Sequence, residues 1–128
     1  MPFVDAGQIK ETQVPEPFRR GLKFVMSPET HQDVEGFSLI YSVLAPDGGG
    51  TDFHTHDDSG ELMVFTGGSG KAWLAGVEHE IKPGSAMYAP PGVEHKTLNT
   101  GGDPLCIVCV FVPPVSVDYI KSASAPAK

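Results

Sequence analysis

A chain of 128 residues, 40% of them hydrophobic, has the length of one domain and enough apolar material for one core; no apolar run approaches the roughly 18–20 residues of a membrane-spanning helix. Nine Lys and Arg against 16 Asp and Glu leave a formal charge of −7, which repels phosphate backbones and anionic lipid and sets aside nucleic acid and membranes as partners. The opening MPFVDAGQIKETQ has no basic segment followed by a long apolar one, so no secretory signal is expected and the expected location is the cytoplasm.

Fifteen glycines and 12 prolines are spread along the chain, the punctuation of many short strands rather than of helices. Residues 16–26 (EPFRRGLKFVM) contain two weak helical spacings broken by Gly21 and read as an irregular lead-in followed by a short strand. Residues 37–44 (FSLIYSVL) are apolar and β-branched, with serines on one alternate face, and 47–50 (DGGG) form a turn. Residues 51–56 alternate as a strand and break at 57–60 (DDSG); 61–66 (ELMVFT) form the next strand, turned back at 67–70 (GGSG). Short strands follow at 71–75, 77–82 and 86–89, then a rigid turn at 90–92 (PPG) and strands at 95–99 and 105–112. Strands at this spacing indicate an all-β sandwich or barrel. No internal repeat and no second domain is visible, and the terminal SASAPAK is expected to be disordered.

Cys106 and Cys109 lie in the last of these strands. Their C-x-x-C spacing invites a zinc or redox reading, but residues three apart on a strand point to opposite faces, and one pair falls short of a four-ligand zinc site. Both are expected as buried structural thiols.

His54 and His56 stand two apart on an expected strand and so face the same side, close enough to lean toward one metal. Taken alone, such a pair is a weak signal, and at surface positions it is more often two solvated side chains. Glu61 opens an apolar strand after a turn that can reset the register, and a carboxylate there is costly unless something pairs with it. His95 follows Pro90, Pro91 and Gly92, a stiff corner suited to delivering a ligand from a distant strand.

Together these positions resemble the cupin superfamily. Cupins carry a first motif of glycine, five residues, H-x-H, three or four residues, glutamate, six residues and glycine; Gly48, His54, His56, Glu61 and Gly68 stand at those intervals. The second motif is glycine, five residues, P-x-G, two residues, histidine, three residues and asparagine; Gly84, Pro90, Gly92, His95 and Asn99 match it. Ser85 departs from the Gly-Asp of many cupins, at a turn that leaves the ligand residues untouched. The likeness covers roughly residues 36–112 and is that of a small single-domain cupin.

The resemblance implies a double-stranded β-helix (jelly-roll) barrel at 36–115. An N-terminal strand and lead-in at 1–35 would pack on it, and a tail at 116–128 would be largely disordered at its end. It implies one divalent metal held by His54, His56, Glu61 and His95. That donor set suits Fe, Mn, Ni, Zn, Co or Cu and leaves open positions for water, substrate or dioxygen. By alternation Met63 and Phe65 share the face of Glu61, Asp52 that of the two histidines, and Thr97 and Asn99 that of His95. Trp73 and Phe111 are further aromatic candidates for the pocket wall. Tyr41, Asp52 and Tyr88 are the candidates for proton transfer or hydrogen bonding to a substrate; His31 and His79 are expected on the surface. Arg19 and Arg20 are the only arginines; a plain surface role is the commoner fate of such residues, and the alternative is that one of them holds a substrate carboxylate. The expected function is a metal-dependent enzyme on a small polar metabolite, either a dioxygenase or a redox-neutral lyase, isomerase or cyclase. The alternatives are a non-catalytic small-molecule binding module and a structural relative that binds metal adventitiously. A homodimer is expected, with an open edge at Phe24–Met26 as one place to pair.

Overall fold

The computed structural model describes residues 1–124. Nine strands and one helix follow in order: β1 (Thr12–Val14), β2 (Arg20–Met26), β3 (Ser38–Leu44), β4 (Gly60–Gly67), β5 (Gly70–Leu74), β6 (Val77–Ile81), β7 (Ala86–Ala89), β8 (His95–Asn99), β9 (Leu105–Val112) and α1 (Val117–Ala123). A six-stranded sheet runs β1-β2-β3-β9-β4-β7 and a three-stranded sheet runs β6-β5-β8. All pairings are antiparallel.

Strict alternation sets which side chains face inward. In β3, Ser38, Ile40, Ser42 and Leu44 are buried while Leu39, Tyr41 and Val43 are half-exposed on the other face. β9 buries Leu105, Ile107, Cys109 and Phe111, β4 buries Glu61, Met63 and Phe65, and β8 buries His95, Thr97 and Asn99. The register aligns these into rows: Phe111 lies opposite both Ser38 and Glu61, and Cys109 opposite both Ile40 and Met63. One end of the barrel is closed by apolar packing, with Leu44 and Leu105 at 0% exposure and Phe65 at 1%. Asn99 pins that end. Its side-chain amide donates to the carbonyls of Leu44 (3.0 Å) and Asp103 (2.8 Å), and its Oδ1 accepts from the Gly101 amide. The polar inward residues gather at the other end, and that asymmetry places the site. Gly68 turns the chain between β4 and β5 at φ 86°, where a Cβ would lie 2.4 Å from the Pro104 carbonyl oxygen. Only glycine meets both conditions.

The structure departs from the sequence reading in four places. Residues 51–56 form no strand; the segment meets β8 through isolated bridges, Gly50 to Leu98 and His54 to His95, and through hydrogen bonds between Thr51 and Thr97. The Asp52 carboxylate accepts the Phe53 amide at 2.9 Å, a local turn that competes with a ladder. The tail contains a helix, α1, capped by Ser116 Oγ on the Tyr119 amide (2.9 Å) and anchored by buried Ile120. Of the terminal SASAPAK expected to be disordered, Ser122 and Ala123 belong to α1, and 125–128 lie outside the described residues. β1, unforeseen, pairs with β2 over Arg20 to Leu22, so the chain covers part of the edge expected to be open; Phe24–Met26 runs beyond its reach. Cys109 is buried, whereas Cys106 on the opposite face is only half-buried. No helix among the described residues is long and apolar enough to cross a membrane.

Candidate metal centre

Backbone hydrogen bonds lock the three histidines into one frame. The His54 amide donates to the His95 carbonyl (3.0 Å) and the His95 amide to the His54 carbonyl (2.9 Å), which ties the loop before β4 to the start of β8. Gly92, at φ 78° in the turn that delivers His95, donates its amide to the His56 carbonyl at 2.9 Å. Glu61 enters from the large sheet, between Ala89 of β7 and Phe111 of β9. One donor atom from each of His54, His56, Glu61 and His95 falls within 4.8 Å of the others.

Each imidazole has its Nδ1 engaged. His54 Nδ1 meets the Asp52 carbonyl at 2.7 Å, His95 Nδ1 the Val93 carbonyl at 3.0 Å, and His56 Nδ1 the Tyr119 hydroxyl at 2.9 Å. A carbonyl only accepts, so His54 and His95 carry their proton on Nδ1, and the neutral rings present the lone pair of Nε2 to the cluster. Second partners of this kind fix the orientation of metal-ligating histidines. Glu61 Oε1 lies 3.1 Å from His56 Nε2 and 3.2 Å from His95 Nε2. A buried carboxylate facing neutral imidazole lone pairs is repulsive unless a proton or a cation stands between them. The donor set therefore fits a divalent cation.

Without an ion, a proton must stand there instead. Burial alone would raise the Glu61 carboxyl, but hydrogen bonds from His56 and His95, donated only when Nε2 carries a proton, hold it down at about 2. Burial, followed by repulsion from His95, lowers His54 to about 4, which favours its neutral, ligating form. Burial also acts to lower His95, but its hydrogen bond to Glu61 prevails and raises it.

The cluster opens into a cavity of about 230 Å³ between the two sheets. Ile40, Met63, Ile107 and Phe111 supply its apolar wall, Arg20, Ser42, Asp52 and Thr97 its polar points, and Ile120 and Ser124 of the C-terminal segment its cover. Phe65 and Asn99 are buried but belong to the core, and Trp73 packs edge-on against Phe53 outside the cavity.

Of the three residues expected to serve the chemistry, Asp52 lines the cavity, with Oδ1 occupied by the Phe53 amide. Tyr41 and Tyr88 do not reach it: both stand on the outer face of the large sheet, Tyr88 52% exposed with its ring over Gly60. Alternation explains both, since their neighbours Ile40, Ser42, Met87 and Ala89 take the inward positions. His79 is exposed and His31 contacts Thr30 in a loop; neither joins the cluster. Sequence reasoning missed Tyr119, which sits in a short helix with no strong periodic pattern. The alternating serines of 37–44 were the visible sign of Ser42.

The family model described as cupin domain matches residues 40–111. A curated relative, the glucose-6-phosphate isomerase of Thermococcus gammatolerans, is 31% identical over 72 residues, which cover 52% of this chain and 38% of that protein. The chain thus spans well under half the length of the curated relatives it matches. Among solved structures, a predicted oxalate decarboxylase from Thermotoga maritima superposes with a TM-score of 0.78 at 20% identity, covering 88% of this chain and 99% of that one. Ectoine synthase from P. lautus superposes with a TM-score of 0.77 at 18% identity, covering 100% and 94%. At such identities these two show the fold.

Proposed function

The chain belongs to the cupin family, and from that premise we propose that it is a metal-dependent enzyme acting on a small polar organic metabolite within the barrel. One observation carries the reading: three imidazoles, each with Nδ1 already bonded, gather a donor atom beside a buried carboxylate on a cavity wall, with Nε2 of His56 and His95 within 3.2 Å of it. His54, His56 and His95 through Nε2, with Glu61 through its carboxylate, would hold one divalent ion of iron, manganese, nickel, zinc, cobalt or copper. Bound there, the ion supplies a Lewis acid, or with a redox metal an oxygen-binding centre, for a hydroxyl, carbonyl or carboxylate.

The protein's own residues do the rest. Met63, Ile107 and Phe111 exclude water from one side of the ligand. Asp52 is the carboxylate on the cavity wall placed to hold or move a proton beside the cluster. Tyr119 keeps the His56 ring in register. The redox-neutral branch, an isomerase, lyase or cyclase, draws support from the names of the similar proteins, which include an isomerase and a predicted decarboxylase. A second reading, a binding module without turnover, draws on the outward placement of Tyr41 and Tyr88, which leaves Asp52 as the one of the three proton-transfer candidates that lines the cavity.

The two readings part on a panel of hydroxy acids, keto acids, diketones and sugar phosphates, offered to metal-loaded protein under nitrogen and under air. Turnover under nitrogen is expected. Oxygen uptake that requires Fe(II) would move the assignment to the dioxygenase branch, and saturable binding without turnover for every metal would replace the enzyme by the binding module. A homodimer is part of the proposal, supported by the uncovered stretch Phe24–Met26 and by Leu62, Tyr88 and Val112 exposed on the outer face of the large sheet. Light scattering should then give twice the 13.6 kDa chain mass; a single chain mass rules the dimer out.

A further inference from the structure

The two arginines have different fates. Arg19 turns outward at φ 44° and its Nη2 donates to the carbonyls of Asp47 (2.7 Å) and Pro46 (3.3 Å), bracing the turn after β3. Arg20 turns inward and lines the cavity, its Nη2 donating to Ser124 Oγ at 2.8 Å. Its Nε–H is buried and has no partner. Ser42, 2% exposed on the same cavity wall, has an equally unpartnered Oγ. These are the two buried side-chain polar atoms without partners among the described residues, and both line one cavity.

The register makes them neighbours. Leu22 lies opposite Ser42 and Arg20 opposite Leu44, so Arg20 and Ser42 are diagonal across β2 and β3 on the inner face. Buried donors are almost always paired, and a guanidinium N–H left idle inside a barrel is costly. Arg20 is also the one permanently charged cation on the cavity wall. Glu61 attracts it through space but forms no direct ion pair with it, its Oε1 being at His56 and His95.

We propose that Arg20 Nε and Ser42 Oγ form a subsite for a carboxylate of the ligand, so that the substrate is a small carboxylic acid whose hydroxyl or carbonyl reaches the histidine–glutamate cluster. This deepens the proposed function and rests on its reading of the cavity as the ligand site. A planar guanidinium edge and a hydroxyl match the two oxygens of a carboxylate. A phosphate dianion would bring more negative charge beside Asp52 and Glu61 with one cation to meet it. Size agrees: a cavity of about 230 Å³ suits a short-chain acid rather than a large cofactor. Ile40, Met63, Ile107 and Phe111 then flank its carbon body.

The probe is n-butyrate, compared with neutral n-butyramide and with inorganic phosphate, titrated into the protein as purified and after chelation. Calorimetry gives affinities and NMR follows the Arg20 Nε–H resonance. Butyrate should move that resonance and bind, while butyramide at the same concentration should do neither. Arg20→Met should weaken butyrate about tenfold or more and Ser42→Ala severalfold, with metal content unchanged in both. Equal butyrate affinity in wild type and both variants, equal binding of butyramide, or tighter binding of phosphate would each overturn the subsite. If Arg20→Met does not fold, Ser42→Ala and the resonance decide. The chelated arm separates the two proposals: butyrate binding in a protein that takes up no metal refutes the metal reading alone, and metal uptake without butyrate binding refutes the subsite alone.

Discussion

Tyr119 shows how a single hydroxyl extends the site. Its Oη sits 2.9 Å from His56 Nδ1, where His54 and His95 use backbone carbonyls. Outer partners of this kind tune affinity without touching the ion, typically by about 10–100-fold. Tyr119→Phe should therefore weaken metal binding by about that factor while leaving the thermal unfolding temperature within a few degrees of wild type, as competition with a chromophoric chelator and calorimetry would show. A second residue-scale prediction concerns pH. His54 is lowered from 6.5 to about 4, so the folded chain takes up this proton less readily than the unfolded one. Its contribution to stability is present above 6.5 and lost as pH falls toward 4. Glu61, lowered from 4.5 to about 2, adds a further loss below 4.5. The raised value of His95 works the other way, its contribution being present below 6.5 and lost as pH rises. Urea unfolding of chelated protein should accordingly show lower stability at pH 5 than at pH 7, with a smaller difference in His54→Asn. An unchanged difference in that variant would count against the His54 assignment.

Among the elements, α1 matters beyond its seven residues. It carries Tyr119 to His56, Ile120 into the core and the chain on to Ser124, the partner of Arg20. Ile120→Ala removes a side chain that is 6% exposed and should cost about 2–4 kcal/mol. Because the helix is short and held mainly by this contact, the same variant should also lose metal affinity, measured by the same competition as for Tyr119. Full affinity in a destabilised protein would show that α1 serves packing alone. The strands were legible because burial follows a period of two: β7, β8 and β9 lie where the alternation and the turns put them. The cluster was legible because fixed motif intervals carry it, even though 51–56 proved to be loop. β1 and α1 were not, since three residues and seven residues give too little periodicity to read, and their pairing is decided by tertiary contact. The lining of the cavity was half legible. Inward faces follow for Met63 and Thr97, but the hydroxyls of Tyr41 and Tyr88 say nothing of strand phase, and the phase places both outside.

At the scale of the whole molecule, the barrel divides its labour along its axis. Leu44, Phe65 and Leu105 pack at one end, where Arg20 lies opposite Leu44 and Ser42 shares the row of Ile107 and Phe65; the histidine–glutamate cluster lies toward the other end, and Arg20, Ser42 and the cluster line one cavity. A rigid scaffold of this kind holds four donors from separate segments close together, which a chain of this size achieves only by folding completely. Metal affinity and fold integrity should therefore be separable in ligand variants, and that makes the central claim open to a direct test. The measurement is elemental analysis of protein purified without added metal or chelator, wild type beside His95→Ala, with circular dichroism to confirm that both are folded. The expected result is close to one transition-metal ion per wild-type chain and a small fraction of that in the variant. No bound metal in the wild type, with none taken up on addition, or equal metal in a folded His95→Ala protein, would contradict the account.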